Sequence, residues 1–200
     1  MKNVSLITNQ MYHMCIKKLL YLVIFGLFIA SCGGDEEEIP NDRTILSYDG
    51  ENLTAPTLPE GLFEFAVRFP PNLTRNVEGR SIEQVSFYLY DAPAQMYLNI
   101  STDFTTSVPG DILNTQMISN PRPNSWNTIT LDEPYPIDGG AIWVGIEVNL
   151  DRTMQSVGCD AGPANANGDW LYQEIDQTWD TFRGRTGESV NWNIKAIISE

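Results

Sequence analysis

The chain has 200 residues, with 26 acidic and 12 basic side chains and a formal net charge of -14. This length leaves room for one or two domains. The acidic surface argues against nucleic-acid binding because it repels phosphate backbones. The single histidine, His13, precedes an apolar run typical of a leader, so the exported chain is expected to lack an imidazole. That loss excludes Ser-His-Asp and Cys-His nucleophile systems and histidine-ligated metals.

The N-terminus has the parts of a bacterial export signal. Lys17 and Lys18 form a positive region, and the apolar run Leu19–Ala30 follows, too short to cross a bilayer core of ~30 Å. The run ends in Ile-Ala-Ser followed by Cys32, which resembles the lipobox of bacterial lipoproteins, where the cysteine is acylated. We therefore predict that residues 1–31 form a lipoprotein signal peptide and that Cys32 carries the membrane anchor. A plain secretory signal and an uncleaved anchor are the alternatives.

The segment after the predicted anchor is acidic. Residues 32–43 contain Asp35-Glu36-Glu37-Glu38 and one isoleucine, a composition typical of a flexible tether. An acidic run directly after the acylated cysteine is similar to the export signal of Bacteroidota lipoproteins that face outward. We expect a lipid-anchored protein of the outer membrane that faces the exterior, with periplasmic display as the alternative. Met1 and Met14 are both possible starts and give the same mature protein.

Residues 44–200 show the period-two pattern of half-buried strands. Phe63, Phe65 and Val67 alternate with Glu64, and no segment carries a sustained helical stripe. Proline and glycine clusters separate the strands. The pattern predicts strands at 45–48, 63–67, 85–89, 96–101, 113–119, 126–131, 141–149, 170–174 and 190–199. About nine strands indicate an all-β fold, an antiparallel β-sandwich of jelly-roll type. Cys159 is the one cysteine left in this domain and is expected to pack as a small buried side chain, without a disulfide.

Several segments occur in a familiar order. They are Ala66–Phe69, Ile82–Tyr88, Trp126–Leu131, Pro136–Asp138, Ile142–Val148, Gly158–Ala164, Gly168-Asp169, Trp179 and Asn191–Ile194. This order resembles adhesin-like β-sandwich modules of Bacteroidota surface proteins and spans nearly all of residues 60–199. The resemblance implies an adhesion or glycan-binding unit without a catalytic domain. It implies no particular ligand, because a fold does not fix a function.

Five tryptophans suggest sugar binding, because the C–H face of a pyranose stacks on a flat aromatic ring. Trp192 alternates in phase with Val190 and Ile194, which predicts a core position. Trp143 and Trp126 alternate with aliphatic residues, which favours an outer sheet face unless a β-bulge reverses it. Aromatic residues around a loop are binding candidates, with packing of the loop on its own sheet as the alternative. The candidate ligand-binding residues are Trp170, Tyr172, Trp179, Asp160, Trp143 and Trp126.

The loop 151–169 is rich in oxygen donors that suit a hard cation. Its candidate calcium ligands are Asp160, Asn165, Asn167 and Asp169. The glycine and the closing glutamate of a known calcium loop are absent, since Trp170 stands at the glycine position. The alternative is a turn in which these side chains cap backbone amides. No cofactor is otherwise expected.

The sequence is compatible with three functions. The first is a non-catalytic module that binds a glycan or a cell-surface ligand through the aromatic candidates. The second is a structural subunit that docks on a partner protein of an outer-membrane assembly. The third is a small glycosidase, which needs two carboxyl groups within ~5 to 10 Å of one another; no pair of acids stands out in the sequence as a candidate.

Overall fold

The computed structural model describes residues 43–200, which fold as an antiparallel β-sandwich. The predicted signal peptide, Cys32 and the acidic tether up to residue 42 lie outside the described residues. Within residues 43–200 no helix is long and apolar enough to span a membrane. The all-β antiparallel prediction is confirmed.

The described chain contains twelve strands and two short helices. The strands are β1 (Thr44–Leu46), β2 (Thr57–Leu58), β3 (Gly61–Phe69), β4 (Ser81–Leu89), β5 (Gln95–Thr105), β6 (Val108–Met117), β7 (Ser125–Pro136), β8 (Ile142–Leu150), β9 (Met154–Gln155), β10 (Trp170–Gln173), β11 (Thr178–Thr181) and β12 (Ile194–Ile198). The helices are α1 (Pro71–Thr74), which continues into a 3-10 turn at Arg75–Val77, and α2 (Phe182–Thr186).

Two sheets form the layers of the sandwich. The four-stranded sheet has the order β1-β12-β4-β7, and the six-stranded sheet has the order β11-β10-β3-β8-β5-β6. The chain crosses between the sheets from β3 to β4, from β4 to β5, from β6 to β7, from β7 to β8 and from β11 to β12, as a jelly roll does. Each of the nine predicted strands overlaps an observed one. The three additional strands, β2, β9 and β11, have four residues or fewer, too short for a readable alternation.

The core lies between the two sheets and is built from the alternate positions of their strands. Phe65 and Val67 of β3 face inward with Val144 and Ile146 of β8. Trp192, which precedes β12, is fully buried there and packs edge-on against Phe65 with ring centroids 5.0 Å apart. Its core position confirms the prediction from its alternation with Val190 and Ile194.

We expect Trp192 to be a principal determinant of stability. Its indole Nε1 donates to the Trp170 carbonyl oxygen at 2.7 Å, so its loss removes both core packing and a buried hydrogen bond. Trp192→Ala should lower the free energy of unfolding by about 3–5 kcal/mol. Trp192→Phe keeps most of the ring packing and should cost clearly less. Urea unfolding followed by circular dichroism measures both variants, and equal losses would contradict this account.

Candidate functional site

The outer face of the six-stranded sheet carries polar and aromatic side chains in rows set by the strand register. One row runs across β11, β10, β3, β8, β5 and β6 and consists of Trp179, Tyr172, Glu64, Glu147, Tyr97 and Met117. The next row contains Trp170, Ala66, Gly145, Asn99 and Thr115. These side chains point away from the core because their sequence neighbours, such as Phe65 and Ile146, point into it.

Three of the candidate tryptophans meet on this outer face. Trp143 lies 5.2 Å from Trp170 and 5.7 Å from Trp179 between ring centroids. We call these three residues the tryptophan cluster. Tyr172 extends it, with its ring 5.6 Å from that of Trp179. Trp143 and Trp170 are buried beneath their neighbours, whereas Trp179 and Tyr172 are partly exposed. Trp143 therefore has the outward direction that its alternation favours, but only Trp179 and Tyr172 present a partly accessible ring.

An ionic network fixes Trp143 in place. The indole Nε1 of Trp143 donates to Asp103 Oδ1 at 2.7 Å. Arg68 binds the same carboxylate with two nitrogens, at 2.8 Å and 2.6 Å, which is the bidentate geometry that gives strong ion pairs. Burial opposes ionisation of Asp103, but the hydrogen bonds from Arg68 and Trp143 hold its pKa below the usual value. Asp103 is therefore a fixed anion under one end of the tryptophan cluster.

A small cavity of about 150 Å³ opens beside the tryptophan cluster. We call it the outer-face pocket. It is lined by Trp143 and Trp179, by Glu64, Ala66, Ser101 and Gly145, and by Pro109, Gly110 and Ile112 of the β5–β6 hairpin. Its volume is below the ~300–1,000 Å³ of sites that enclose a drug-sized ligand. The pocket suits one small ring or a polar group projecting from a longer ligand.

Glu64 supplies the carboxyl group of this pocket. A Cβ at position 145 would overlap Glu64 Oε1, so Gly145 is required for the side chain to lie across β8. Asn99 Nδ2 donates to Glu64 Oε1 at 3.2 Å, and Thr115 donates to Asn99 Oδ1 at 2.9 Å. Burial raises the pKa of Glu64 to about 7, with Asn99 opposing the rise and Glu147 adding to it. Glu64 therefore changes charge near neutral pH.

Glu147 lies directly opposite Glu64 in the pairing of β3 and β8. Its pKa is also raised, mainly by burial, with Asn99 lowering it and Glu174 raising it. Two adjacent carboxyl groups in a partly dehydrated site do not both ionise easily. Near neutral pH Glu64 donates a hydrogen bond in its protonated form and only accepts in its ionised form.

Trp126 lies apart from these residues, on the outer face of the four-stranded sheet. Its ring contacts Tyr88 at 5.9 Å, and the ammonium group of Lys195 stands 4.2 Å from its centroid. The strand order places it in the sheet opposite the tryptophan cluster. Trp126 therefore does not share a site with Trp143, Trp170, Tyr172 and Trp179.

The four candidate calcium ligands bind donors of the protein itself. Asp160 accepts backbone bonds from Gly50, Gly162 and Asn191 and a side-chain bond from Asn191. The other three accept from different partners: Asn165 from the Asn167 amide, Asn167 from Arg68, and Asp169 Oδ2 from the Arg183 amide. Asp169 Oδ1 is buried without a hydrogen-bond partner. Among residues 43–200 no three His, Cys, Asp or Glu side chains form a group that could hold a metal. Asp160, Asn165 and Asp169 accept backbone bonds as the capped-turn alternative expects, and calcium binding at this loop stays a prediction.

Cys159 is buried and unpaired, as expected. Burial raises the pKa of its thiol to about 12, and Asp160 and Glu188 add to the effect. A thiol with so high a pKa is a poor nucleophile at neutral pH.

The β5–β6 hairpin exposes several apolar side chains next to the pocket. They are Phe104, Val108, Ile112, Leu113 and Met117. An exposed apolar group of this kind is what the docking hypothesis predicts, because such patches often mark interaction surfaces. Docking on a partner protein stays a prediction.

Sequence reasoning missed most of the polar residues of the site. Arg68, Glu64 and Asn99 were visible only as polar positions of amphipathic strands, and Asp103 follows the predicted strand 96–101. The one available signal was the pairing of Trp143 with Gly145 on one strand face, since a glycine in a strand marks a close approach. The glycine predicts that some group lies close to the strand at position 145, but it does not identify that group as the Glu64 side chain.

Comparison with known proteins gives the fold alone. No family model matches the chain, and no curated protein matches it. A variant of the clostridial cysteine protease Cwp84 after propeptide cleavage is similar with a TM-score of 0.60 and 13% identity, over 79% of this chain and 40% of that one. The cysteine protease and lectin-like domains of Cwp84, a surface layer associated protein of Clostridium difficile, are similar with a TM-score of 0.60 and 12% identity, over 80% and 36%. This chain spans less than half of either structure.

The raised pKa of Glu64 predicts a pH-dependent stability. The native state keeps the proton up to about pH 7, whereas the unfolded chain loses it near 4.5. Stability should therefore fall as pH rises between these values and level off above them. The glutamine of Glu64→Gln is uncharged at every pH. The difference in free energy of unfolding between this variant and the wild type should therefore shift in favour of the variant as pH rises across this range, by up to about 3 kcal/mol.

Urea unfolding between about pH 5 and pH 8 measures this difference. Glu133→Gln, at an exposed glutamate of β7, is the matched control. A constant difference between wild type and Glu64→Gln would show that Glu64 ionises normally.

Proposed function

We propose that the domain is a non-catalytic binding module for glycans, and that its ligand binds at the outer-face pocket against Trp179. The observation that carries the proposal is the combination, in one open cavity, of a partly exposed tryptophan ring with the Glu64 carboxyl group. A sugar needs both, because its C–H face packs on an aromatic ring and its hydroxyl groups need polar partners.

The fixed geometry of the pocket supports this function. Trp179 packs on Trp143, which Asp103 holds through its indole nitrogen. A rigid aromatic surface loses little conformational entropy when a ligand binds, so weak stacking contributes to affinity. The lectin-like domain of the structural neighbour is in keeping with carbohydrate binding, at the level of fold.

The proposal includes the cellular setting expected from the leader. Acylation at Cys32 would hold the module on the outer membrane, and the acidic tether would extend it toward the exterior. A surface position suits a domain that binds polysaccharides of neighbouring cells or of a host.

Metabolic labelling with a palmitate analogue tests the anchor. The wild-type protein, expressed in a bacterium with the lipoprotein pathway, should incorporate the label and fractionate with outer membranes. Cys32→Ala should lose the label and leave the membrane fraction. Label retained by Cys32→Ala would place the acyl group elsewhere and refute the lipobox assignment.

A glycan array with variant proteins tests the ligand proposal. Trp179→Ala should weaken binding to every specific hit by about tenfold or more, equivalent to ~1.4 kcal/mol. Trp126→Ala is the matched control, because it removes a partly buried tryptophan from the other sheet and should leave binding unchanged. Urea unfolding of both variants checks that they remain folded.

Two array results would count against glycan binding at this pocket. Equal losses for the two variants would move the site away from Trp179. An array without specific hits would favour the docking hypothesis, which crosslinking in cells then tests through the exposed β5–β6 hairpin.

The acidic pair supports glycoside hydrolysis as a second candidate function. Glu64 and Glu147 are directly opposed on β3 and β8, and retaining glycosidases use two carboxyl groups ~5–5.5 Å apart. Glu64, with its pKa of about 7, would be the acid and Glu147 the nucleophile. Release of reducing ends from array hits, abolished by Glu64→Gln, would favour hydrolysis; bound glycans recovered intact favour simple binding.

A further inference from the structure

The side chains that line the outer-face pocket favour a ligand group that donates hydrogen bonds. The polar ones are Glu64 and Ser101, and the aromatic ones are Trp143 and Trp179. None of the described residues that line the pocket is basic. An ionised carboxylate only accepts hydrogen bonds, a serine hydroxyl can turn to accept, and the face of an indole ring is electron-rich. All four side chains therefore suit a donor, and best a positively charged one.

Strong hydrogen-bond donors next to the pocket are engaged within the protein. The indole Nε1 of Trp143 and two nitrogens of Arg68 donate to the carboxylate of Asp103. A third nitrogen of Arg68 donates to Asn167 Oδ1 at 3.2 Å. Arg68 is thus held by its own partners and does not neutralise Glu64, whose hydrogen bond comes from the uncharged amide of Asn99.

The charged side chains around Glu64 on the outer face are acidic. Glu147 lies opposite Glu64 on β8, and its charge adds to the effect of burial on the pKa of Glu64. Glu174, which follows β10, raises the pKa of Glu147 in the same way. Tyr172 and Tyr97 complete this row of the sheet. An anionic ligand would increase the repulsion between these groups, whereas a cation would reduce it.

The two tryptophan rings of the pocket add a second attraction for a cation. Tryptophan binds cations over its ring face more strongly than the other aromatic residues do, at distances within about 6 Å of the ring centre. The rings of Trp143 and Trp179 have centroids 5.7 Å apart and planes inclined by 61°. They line the same cavity as Glu64, so a small cation placed there is near both an aromatic ring and a carboxyl group.

We propose, on the basis of the glycan-binding function proposed above, that the outer-face pocket selects amino sugars. The protonated amino group of a hexosamine unit binds Glu64, and the sugar ring packs on Trp179. An ammonium group has three donors and no acceptor, which matches the acceptors of the pocket. When it binds, Glu64 ionises and releases its proton to solvent, because a neighbouring positive charge favours the carboxylate. Sugars that carry a carboxylate are disfavoured by the same acidic groups.

Calorimetric titration of the full-length chain with two matched disaccharides tests this selectivity near neutral pH. One is a glucosamine disaccharide and the other its N-acetylated form, which has the same rings without the ammonium groups. The wild type should bind the amine at least about tenfold more tightly, and added salt should reduce this preference. Glu64→Gln should abolish the preference and leave the affinity for the acetylated form unchanged. Trp179→Ala should weaken binding of both disaccharides.

Glu133→Gln is the matched control, because it removes an exposed glutamate from β7 of the other sheet. It should keep the full preference for the amine. If Glu133→Gln lost as much of the preference as Glu64→Gln, the acidic surface as a whole would attract the amine, and the proposal would be overturned. Nα-acetyl-lysine binding as tightly as the amine would assign the pocket to lysine side chains of a protein and would overturn it too.

The disaccharides also separate a failure of this inference from a failure of glycan binding. Equal affinities of the wild type for the two disaccharides, both lowered in Trp179→Ala, would refute the selection of amino sugars and keep a glycan site at Trp179. Binding of other array glycans without either disaccharide would have the same meaning. A chain that binds neither the disaccharides nor any array glycan would refute both proposals.

Discussion

The carboxylate of Asp103 is the group on which the outer face of the six-stranded sheet depends. It accepts the indole N–H of Trp143 and two N–H bonds from Arg68. Arg68 also donates to Asn167, and its carbonyl oxygen accepts from the Tyr48 hydroxyl. One anion therefore joins β3, β5 and β8 to the loop before β10. The aromatic cluster outside the main core is thus held at one end by a partly exposed carboxylate that is paired with Arg68 and Trp143.

The tryptophan cluster forms a second, smaller core on the outer face of the six-stranded sheet, whereas the main core of the sandwich lies between the two sheets. Trp143 and Trp170 fill the space over Ala66, and Trp179 of the edge strand covers them. The small side chains Ala66 and Gly145 are paired across β3 and β8, which leaves a depression between larger neighbours. A depression beside fixed rings is the feature that separates this face from an ordinary solvated sheet surface.

The fold followed from the sequence because alternation is a local property. The nine predicted strands were identified from residues such as Phe63, Phe65 and Val67. Their alternation along one strand is enough to show which side chains face the core. The site did not follow, because its members come from β3, β5, β8, β10 and β11, and only the register says which residues face one another. Trp126 and Trp143 look alike in sequence, each alternating with aliphatic residues, yet they lie on opposite sheets. The same holds for the candidate calcium ligands: Asp160 and Asp169 are near in sequence, but only the structure shows that they bind separate backbone amides.

Two glycines, Gly145 and Gly158, each leave space for buried polar side chains, and the side chains respond differently to burial. Gly145 leaves room for Glu64, which obtains a hydrogen bond from Asn99 and responds to burial by a raised pKa. Gly158 leaves room for the oxygens of Asn52 and Asn193, which are amides and cannot take up a proton. A carboxyl group in a dry site can become neutral, but an amide oxygen needs a donor. Burial beside Gly145 therefore changes the pKa of Glu64, a response that the amides beside Gly158 do not have.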